Sequence, residues 1–413
     1  MNQDILSVVE KETDFLMKKH KVSYSMGFLA EKPLLSIPRG SGDEEKWRYF
    51  LKVDELGYAL KKLIKERRVS EAVNALPDLP QSVFYDISWE AAHRFMLVVA
   101  MATQAYFREI FPCKNVEELM SDTRVKFLPP QLAMPLWRLH KITGISPSMS
   151  YGLYSLWNWH KKETEKPLSL ENIEMIHSFT GTLDERWFVW IHQIVEMVFH
   201  PAISASLKAD ILAKLYCARQ INDEQVVINY MTKFLREAAV ASVETVNVLE
   251  RMREHCNPST YFDEIRMFYS FPRKVVFEGV EDPEAYRKPL EIYGETGGQT
   301  PYQHFRIAAL GIKHQKSEYF MRMRKHMSTP FRELVERMDN ASIRDFVLGH
   351  KSNKALRRQY NIFVQSVLDW RAEHMALVEE YIKTHGESHG TGKPPLDWLK
   401  ELYDETKSYL IDF

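Results

Sequence analysis

Apolar residues along this chain recur mostly at helical spacing. Between Asp223 and Glu254 they fall at Val226, Val227, Tyr230, Met231, Phe234, Leu235, Val243, Val246 and Leu249. That spacing draws one broad apolar stripe down a long helix. The helix must stop near Asn257-Pro258, because Pro258 disfavours helical backbone at the residue before it. A second long helix is expected from about Asn353 to Thr384, with Leu356, Tyr360, Phe363, Val364, Val367, Arg371, His374, Val378 and Tyr381 along its inner face. A third covers about Asp184 to Phe199, with Phe188, Ile191, His192, Val195, Val198 and Phe199 on one face. A fourth runs from about Trp89 to Ile110. Its apolar run from Phe95 to Phe107 has the length of a buried helix and is too short for a membrane span.

Breaks in this pattern mark the joints. Pro77 to Pro80, the segment Phe127-Leu-Pro-Pro130, Lys166-Pro167 and the stretch from Gly386 to Pro395 read as loops, and Val275 to Glu278 reads as a short strand. No fixed-period repeat occurs, and no alternation of strands with helices suggests a doubly wound sheet. The expected fold is therefore all-α. A smaller, mostly helical N-terminal unit (residues 1–165) should end in the charged segment HKKETEKP and cover one side of a pocket. A large helical unit (residues 166–413) should follow.

Composition narrows the function. Fifty-five lysines and arginines nearly cancel 56 aspartates and glutamates, so the net charge of −1 leaves no electrostatic footprint for nucleic acid or an anionic membrane. The N-terminus carries acids where a signal peptide needs a basic start, which points to a cytoplasmic protein. Cys113, Cys217 and Cys256 lie far apart with no CxxC spacing and are expected to be reduced, buried thiols.

Several residues could carry chemistry. His374 lies on the apolar stripe of its helix, where an imidazole that binds a haem iron would have to be, although a core histidine bonded to a carbonyl fits the same position. Arg371, one turn earlier, could pair with an acid at a haem edge or reach solvent. His192 poses the same question on another apolar helix. Arg266, in Tyr261-Phe-Asp-Glu-Ile-Arg266, suits a planar ligand that bears a carboxylate, or else packs its stem on Tyr261 or Phe262. Gly294-Glu-Thr-Gly-Gly-Gln-Thr300 lacks the ending of a phosphate loop. Gly390-Thr-Gly-Lys393 mimics one, but Pro394 stands where a hydroxyl is needed. His385 and His389 are flanked by glycines and read as loop histidines, and no CxxC, HExxH or GxSxG pattern is present.

These segments together resemble the indoleamine 2,3-dioxygenase family. Ser342-Ile-Arg-Asp-Phe-Val-Leu348, Tyr360, and Trp370-Arg371-Ala-Glu-His374 through Val378, Tyr381 and Ile382 are similar to its C-terminal helix. Asn257-Pro258 with Tyr261, Phe262, Ile265 and Arg266 resembles its distal-pocket segment. Phe277-Glu-Gly279, Asp282-Pro283, Gly294 with Thr296 to Thr300, and Gly311-Ile312 follow in order. Gly390-Thr391-Gly392 resembles its substrate-closing loop. Upstream, Tyr151, Asn158-Trp159, Lys166-Pro167-Leu168, Glu171-Asn172 and Ser178-Phe179 also match. The chain departs from the family in three places. His192 takes the place of a distal serine. Lys393 and two prolines follow the loop. Ile307 stands near where a carboxylate supports the iron-binding histidine.

The resemblance implies haem b held by His374, with Arg371 on a propionate and dioxygen as co-substrate. It implies an indole or tryptophan substrate edged by Tyr151, Phe188 and Phe262, gripped at its carboxylate by Arg266, and closed in by Thr296, Gly297 and Thr391. His192 would accept the indole N–H. An electron donor must keep the iron reduced, and the product would be of the N-formylkynurenine type. Three rival readings are a related haem enzyme acting on a modified tryptophan in secondary metabolism, a non-enzymatic haem protein that binds dioxygen, and a helical scaffold with no cofactor.

Overall fold

The computed structural model describes residues 2–37, 44–85, 87–315, 317–391 and 396–412. Helices dominate, as the apolar spacing predicts. The long helix Glu224–Glu250 carries Lys354–Tyr381 along one side and His200–Cys217 along another, and Leu183–Val198 packs against it as well. Each of the expected long helices begins at a side-chain cap. Ser88 accepts the Ala91 N–H, Thr182 that of Glu185, Asp223 that of Val226 and Asn353 that of Leu356. Such caps satisfy amide groups that the helix cannot pair internally, which is why these helices start where they do.

The N-terminal part is built on Trp89–Ile110, which is buried almost all round between Glu44–Glu66 and Pro130–Thr143. Helix Asn2–Lys19 lies against His200–Cys217, and one continuous apolar core runs from Val9 to Ile411. The segment HKKETEKP forms the exposed turn between His160–Lys161 and Ile173–Glu174, a two-residue antiparallel pair. No described helix is long and apolar enough to cross a membrane.

Three expectations need correction. Phe127-Leu-Pro-Pro130 is not a loop. Lys126–Leu128 forms a strand parallel to Val275–Phe277, and Pro130 opens the helix Pro130–Thr143. Proline is favourable at a first helical position because its missing N–H would have had no partner there. Cys217 is exposed and Cys113 half-buried, so only Cys256 is the buried thiol expected of all three; all are free. Val243 is exposed beside Val240, so the stripe on Glu224–Glu250 is narrower than its sequence suggests.

The last long helix is fixed to the rest through Tyr360. Its buried hydroxyl donates to the Leu310 carbonyl (2.8 Å) and accepts from Arg344 Nη1 (2.7 Å). Tyr360→Phe should cost about 1–3 kcal/mol, because it strands a buried carbonyl. The urea midpoint should fall with an unchanged slope, and an unmoved midpoint would show that the bond contributes nothing.

Candidate functional site

One cavity gathers most of the residues singled out from the sequence. His192, Phe188, Arg266, Thr296, Gly297, Arg371, His374, Gly390 and Thr391 all line it. Its empty space is about 1500 Å³, counted out to its open mouth.

The two histidines belong to different helices, Leu183–Val198 and Lys354–Tyr381. His192 Nδ1 lies 2.7 Å from the Phe188 carbonyl, which can only accept, so Nδ1 carries the ring proton. Burial lowers the His192 pKa, and the neutral ring presents the Nε2 lone pair to the cavity. His374 lies in Lys354–Tyr381 and stacks on Trp370 at 4.9 Å and 27°. Burial first, then His192 and Arg371, push its pKa down to about 4. Among the described residues the His374 imidazole has no hydrogen-bond partner. Ile307 lines the cavity, and among the described residues no carboxylate hydrogen-bonds His374.

Arg371 is a buried cation with an indirect counter-charge. Its Nη2 donates to His314 Nε2 (3.0 Å), and His314 Nδ1 lies 2.5 Å from Glu405 Oε2. Its Nε has no partner. Arg306 is close enough to press on the same charge. It rests on the Tyr302 and Trp370 rings at 5.3 and 5.4 Å, bonds only neutral groups, and leaves Nη2 unpaired. Arg371, a buried guanidinium that lines the cavity with an N–H unmet, calls for an anion, and Arg306 outside the lining adds to the positive charge there.

The opposite end is closed by the segment that follows the last long helix. Arg266 is buried and ion-paired to Glu387, and its Nη2 donates to the His389 carbonyl (2.6 Å). Glu387 also accepts the Val116 N–H (2.7 Å). The Thr391 hydroxyl donates to the Glu295 carbonyl (2.6 Å). Gly392, Lys393 and Pro394 lie outside the described residues.

Gly294 to Thr300 forms a pinned turn. Gln299 donates to the Gly294 carbonyl (2.7 Å) and accepts the Tyr151 N–H (2.9 Å), and Thr296 accepts the Gly298 N–H (3.4 Å). His304 Nε2 donates to the Gly298 carbonyl (2.8 Å). A Cβ at Gly294 would stand 2.0 Å from the Tyr269 carbonyl oxygen, and one at Gly298 would stand 2.8 Å from the Tyr319 hydroxyl. Glycine is required there by close approach.

Two predicted contacts lie elsewhere. Phe262 does not line the cavity and stacks on His385 at 4.6 Å; Tyr261 takes its place, 4.8 Å from Phe188. The cause is a π-helical turn over Tyr261–Ile265, in which the Arg266 N–H bonds the Tyr261 carbonyl. The wider turn aligns Arg266 with Tyr261, five residues back, while its guanidinium still lies over the Phe262 ring at 5.8 Å. Tyr151 stands behind His192, with ring centroids 5.9 Å apart and its hydroxyl 3.4 Å from the His192 carbonyl. Sequence reasoning missed Tyr261, His304, His314, Glu405 and Glu295. The signal for Glu295 was an acid inside a glycine-rich turn.

The residues present fit a haem. A neutral imidazole without a protein partner, an aromatic-lined gap and unpaired buried guanidinium groups are what a flat iron porphyrin with two carboxylates requires.

Known proteins agree. The model of the indoleamine 2,3-dioxygenase family matches residues 16–404. Indoleamine 2,3-dioxygenase 1 of Mus musculus is 26% identical over 428 residues, which cover 96% of each chain. Indoleamine 2,3-dioxygenase of Saccharomyces cerevisiae is 25% identical, over 95% of this chain and 86% of its own. A 6-hydroxytryptophan 2,3-dioxygenase of Fusarium equiseti is 24% identical, over 89% and 85%. The chain belongs to the indoleamine 2,3-dioxygenase family and is a haem-dependent 2,3-dioxygenase of an indole.

Neutral buried histidines, His304 in the cavity lining and His93 and His326 elsewhere in the fold, set the protein's response to acid. Burial holds His93 at about 3, His304 at about 4 and His326 at about 3, against an ordinary value near 6.5. Below about pH 6.5 the unfolded chain takes up protons that these rings refuse in the fold, so stability falls as pH drops from about 6.5 to about 4. Each ring adds a slope of up to about 1.4 kcal/mol per pH unit. The urea midpoint of the haem-free protein should decline steadily from pH 7 to pH 5. A level midpoint across that window would mean the rings are protonated in place.

Proposed function

We propose that His374 is the haem ligand, that the cofactor is haem b, and that the substrate is tryptophan or a closely related indole amino acid bound on the His192 side. The observation that carries this reading is that two neutral imidazoles, His192 and His374, carried by two different helices, line one aromatic-lined cavity. A haem there supplies the redox chemistry of dioxygen. Both oxygen atoms add across the indole C2–C3 bond, that bond breaks, and an N-formylkynurenine-type product results.

The chain's own part is binding, orientation and exclusion of water. Phe188 and Tyr261 flank the indole. The Nε2 lone pair of His192 accepts the indole N–H, a role its tautomer already prepares. Arg266 takes the substrate carboxylate, for which Glu387 stands in while the pocket is empty. Thr391 holds the closing segment to the Glu295 carbonyl, with Thr296 and Gly297 beneath it. Arg371 supplies the positive charge for a haem carboxylate. The reading places the protein in the cytoplasm with an electron donor to reduce the iron, and it assigns no role to nucleic acid or membrane.

An absorption spectrum tests this directly. Wild-type protein should show a Soret band that shifts when L-tryptophan is added. His374→Ala should lose haem on purification, and normal haem content in that variant would end the assignment. Arg266→Ala removes a charge-assisted contact of ~1.5–3 kcal/mol, so the Michaelis constant for the amino acid should rise by roughly 10- to 100-fold. An unchanged constant would mean that the carboxylate binds elsewhere.

A further inference from the structure

Glu295 is the only acid in the cavity lining among the described residues. It is 5% exposed, and no described residue hydrogen-bonds its carboxyl. A buried carboxyl without a partner is costly unless something that enters the site satisfies it.

Two ties set Glu295 in the same corner as Arg266. The first runs through the segment after Gly386. Arg266 Nη2 donates to the His389 carbonyl (2.6 Å), and the hydroxyl of Thr391, two residues on, donates to the Glu295 carbonyl (2.6 Å). The second runs through the backbone on the other side. Gly294 precedes Glu295, and a Cβ on it would stand 2.0 Å from the carbonyl oxygen of Tyr269, which ends the short helical turn Arg266–Tyr269. Arg266 bonds Glu387 and the His389 carbonyl, so this corner holds a cation and an acid that are not paired with each other.

An α-amino acid carries the matching pair of groups on one carbon. With its carboxylate on Arg266, its ammonium stays in that corner and needs an acceptor. The indole N–H has its acceptor in His192, and Glu387 and Glu117 do not line the cavity. We propose that Glu295 recognises the substrate's α-ammonium, so that the site selects an indole amino acid over an indole carboxylic acid that lacks the amino group. The assignment rests on the dioxygenase reading of the same site. Burial raises the carboxyl to about 8, so the empty site keeps it mostly protonated at neutral pH and needs no counter-charge for it. An arriving ammonium favours the ionised form and makes a charge-assisted hydrogen bond. A methylene in place of the ammonium leaves the carboxyl unmet, and sites built to hydrogen-bond a polar group discriminate strongly against analogues that lack it.

The test uses haem-loaded protein and two ligands that differ only in the amino group, L-tryptophan and indole-3-propionate. Dissociation constants come from the Soret shift at neutral pH. Wild type should bind tryptophan at least about 10-fold more tightly than indole-3-propionate, the span of one charge-assisted hydrogen bond. Glu295→Gln keeps the shape of the protonated carboxyl and leaves the empty site intact. It should bring the two constants within about 3-fold by weakening tryptophan alone, because a neutral amide contributes no counter-charge. Wild type that binds both ligands equally overturns the proposal, whatever the variant does. So does a preference that survives in Glu295→Gln, which would put the ammonium on another acceptor. In both cases the Soret shifts themselves leave the substrate site standing. A Soret band that neither ligand shifts sinks that site, and this inference with it.

Discussion

His192 and His374 line one cavity from helices that pack on the same central helix, and burial keeps both rings without a second proton. Their neutrality is the constraint on which the rest of the site depends. An imidazolium could neither bind a metal nor accept an N–H. Neutrality holds only while the space between the helices is screened from bulk water. The aromatic lining and the closing segment after Gly386 therefore serve the chemistry as much as the packing. The same burial that sets the histidines leaves Arg371, Arg306 and Glu295 incompletely satisfied, so dryness and unmet polar demand have one cause.

A guanidinium almost wholly buried, as Arg266 is, would be strongly destabilising alone, and Glu387 meets it from the segment that closes the cavity. In the proposed function a substrate carboxylate competes with Glu387 for that cation. If the substrate wins, Glu387 keeps the Val116 N–H, so displacement does not leave it isolated. Substrate affinity is thus a difference between two ion pairs and is smaller than either.

The long helices and their inward residues were legible because period and capping are local properties. Asp223, Thr182, Asn353 and Ser88 sit where a cap is needed, and His192 and His374 fall in the apolar register of their helices. What failed was non-local or depended on backbone irregularity. Phe262 shares a face with Arg266 on a regular helix, and no composition rule announces the π-helical turn that substitutes Tyr261. The His314–Glu405 link to Arg371 joins residues 57 and 91 positions apart, beyond any window of periodicity. Phe127 and Leu128 read as loop because two prolines follow. Their strand partner lies at Val276 and Phe277, far along the chain.

The buried cations bear on how the proposed ligands sit. Arg371 and Arg266 both line the cavity, and Arg371 Nε has no partner, whereas Arg306 rests on the Tyr302 and Trp370 rings outside the lining. In the proposed function a flat cofactor turns a carboxylate-bearing edge toward Arg371, and an amino acid turns its carboxylate toward Arg266 and its ring toward His192. Reversing either ligand would leave a buried guanidinium unpaired, and that arrangement costs more than the correct contact contributes, because losing a partner exposes the full desolvation penalty. Orientation in that reading is enforced chiefly by what the wrong pose would leave unsatisfied.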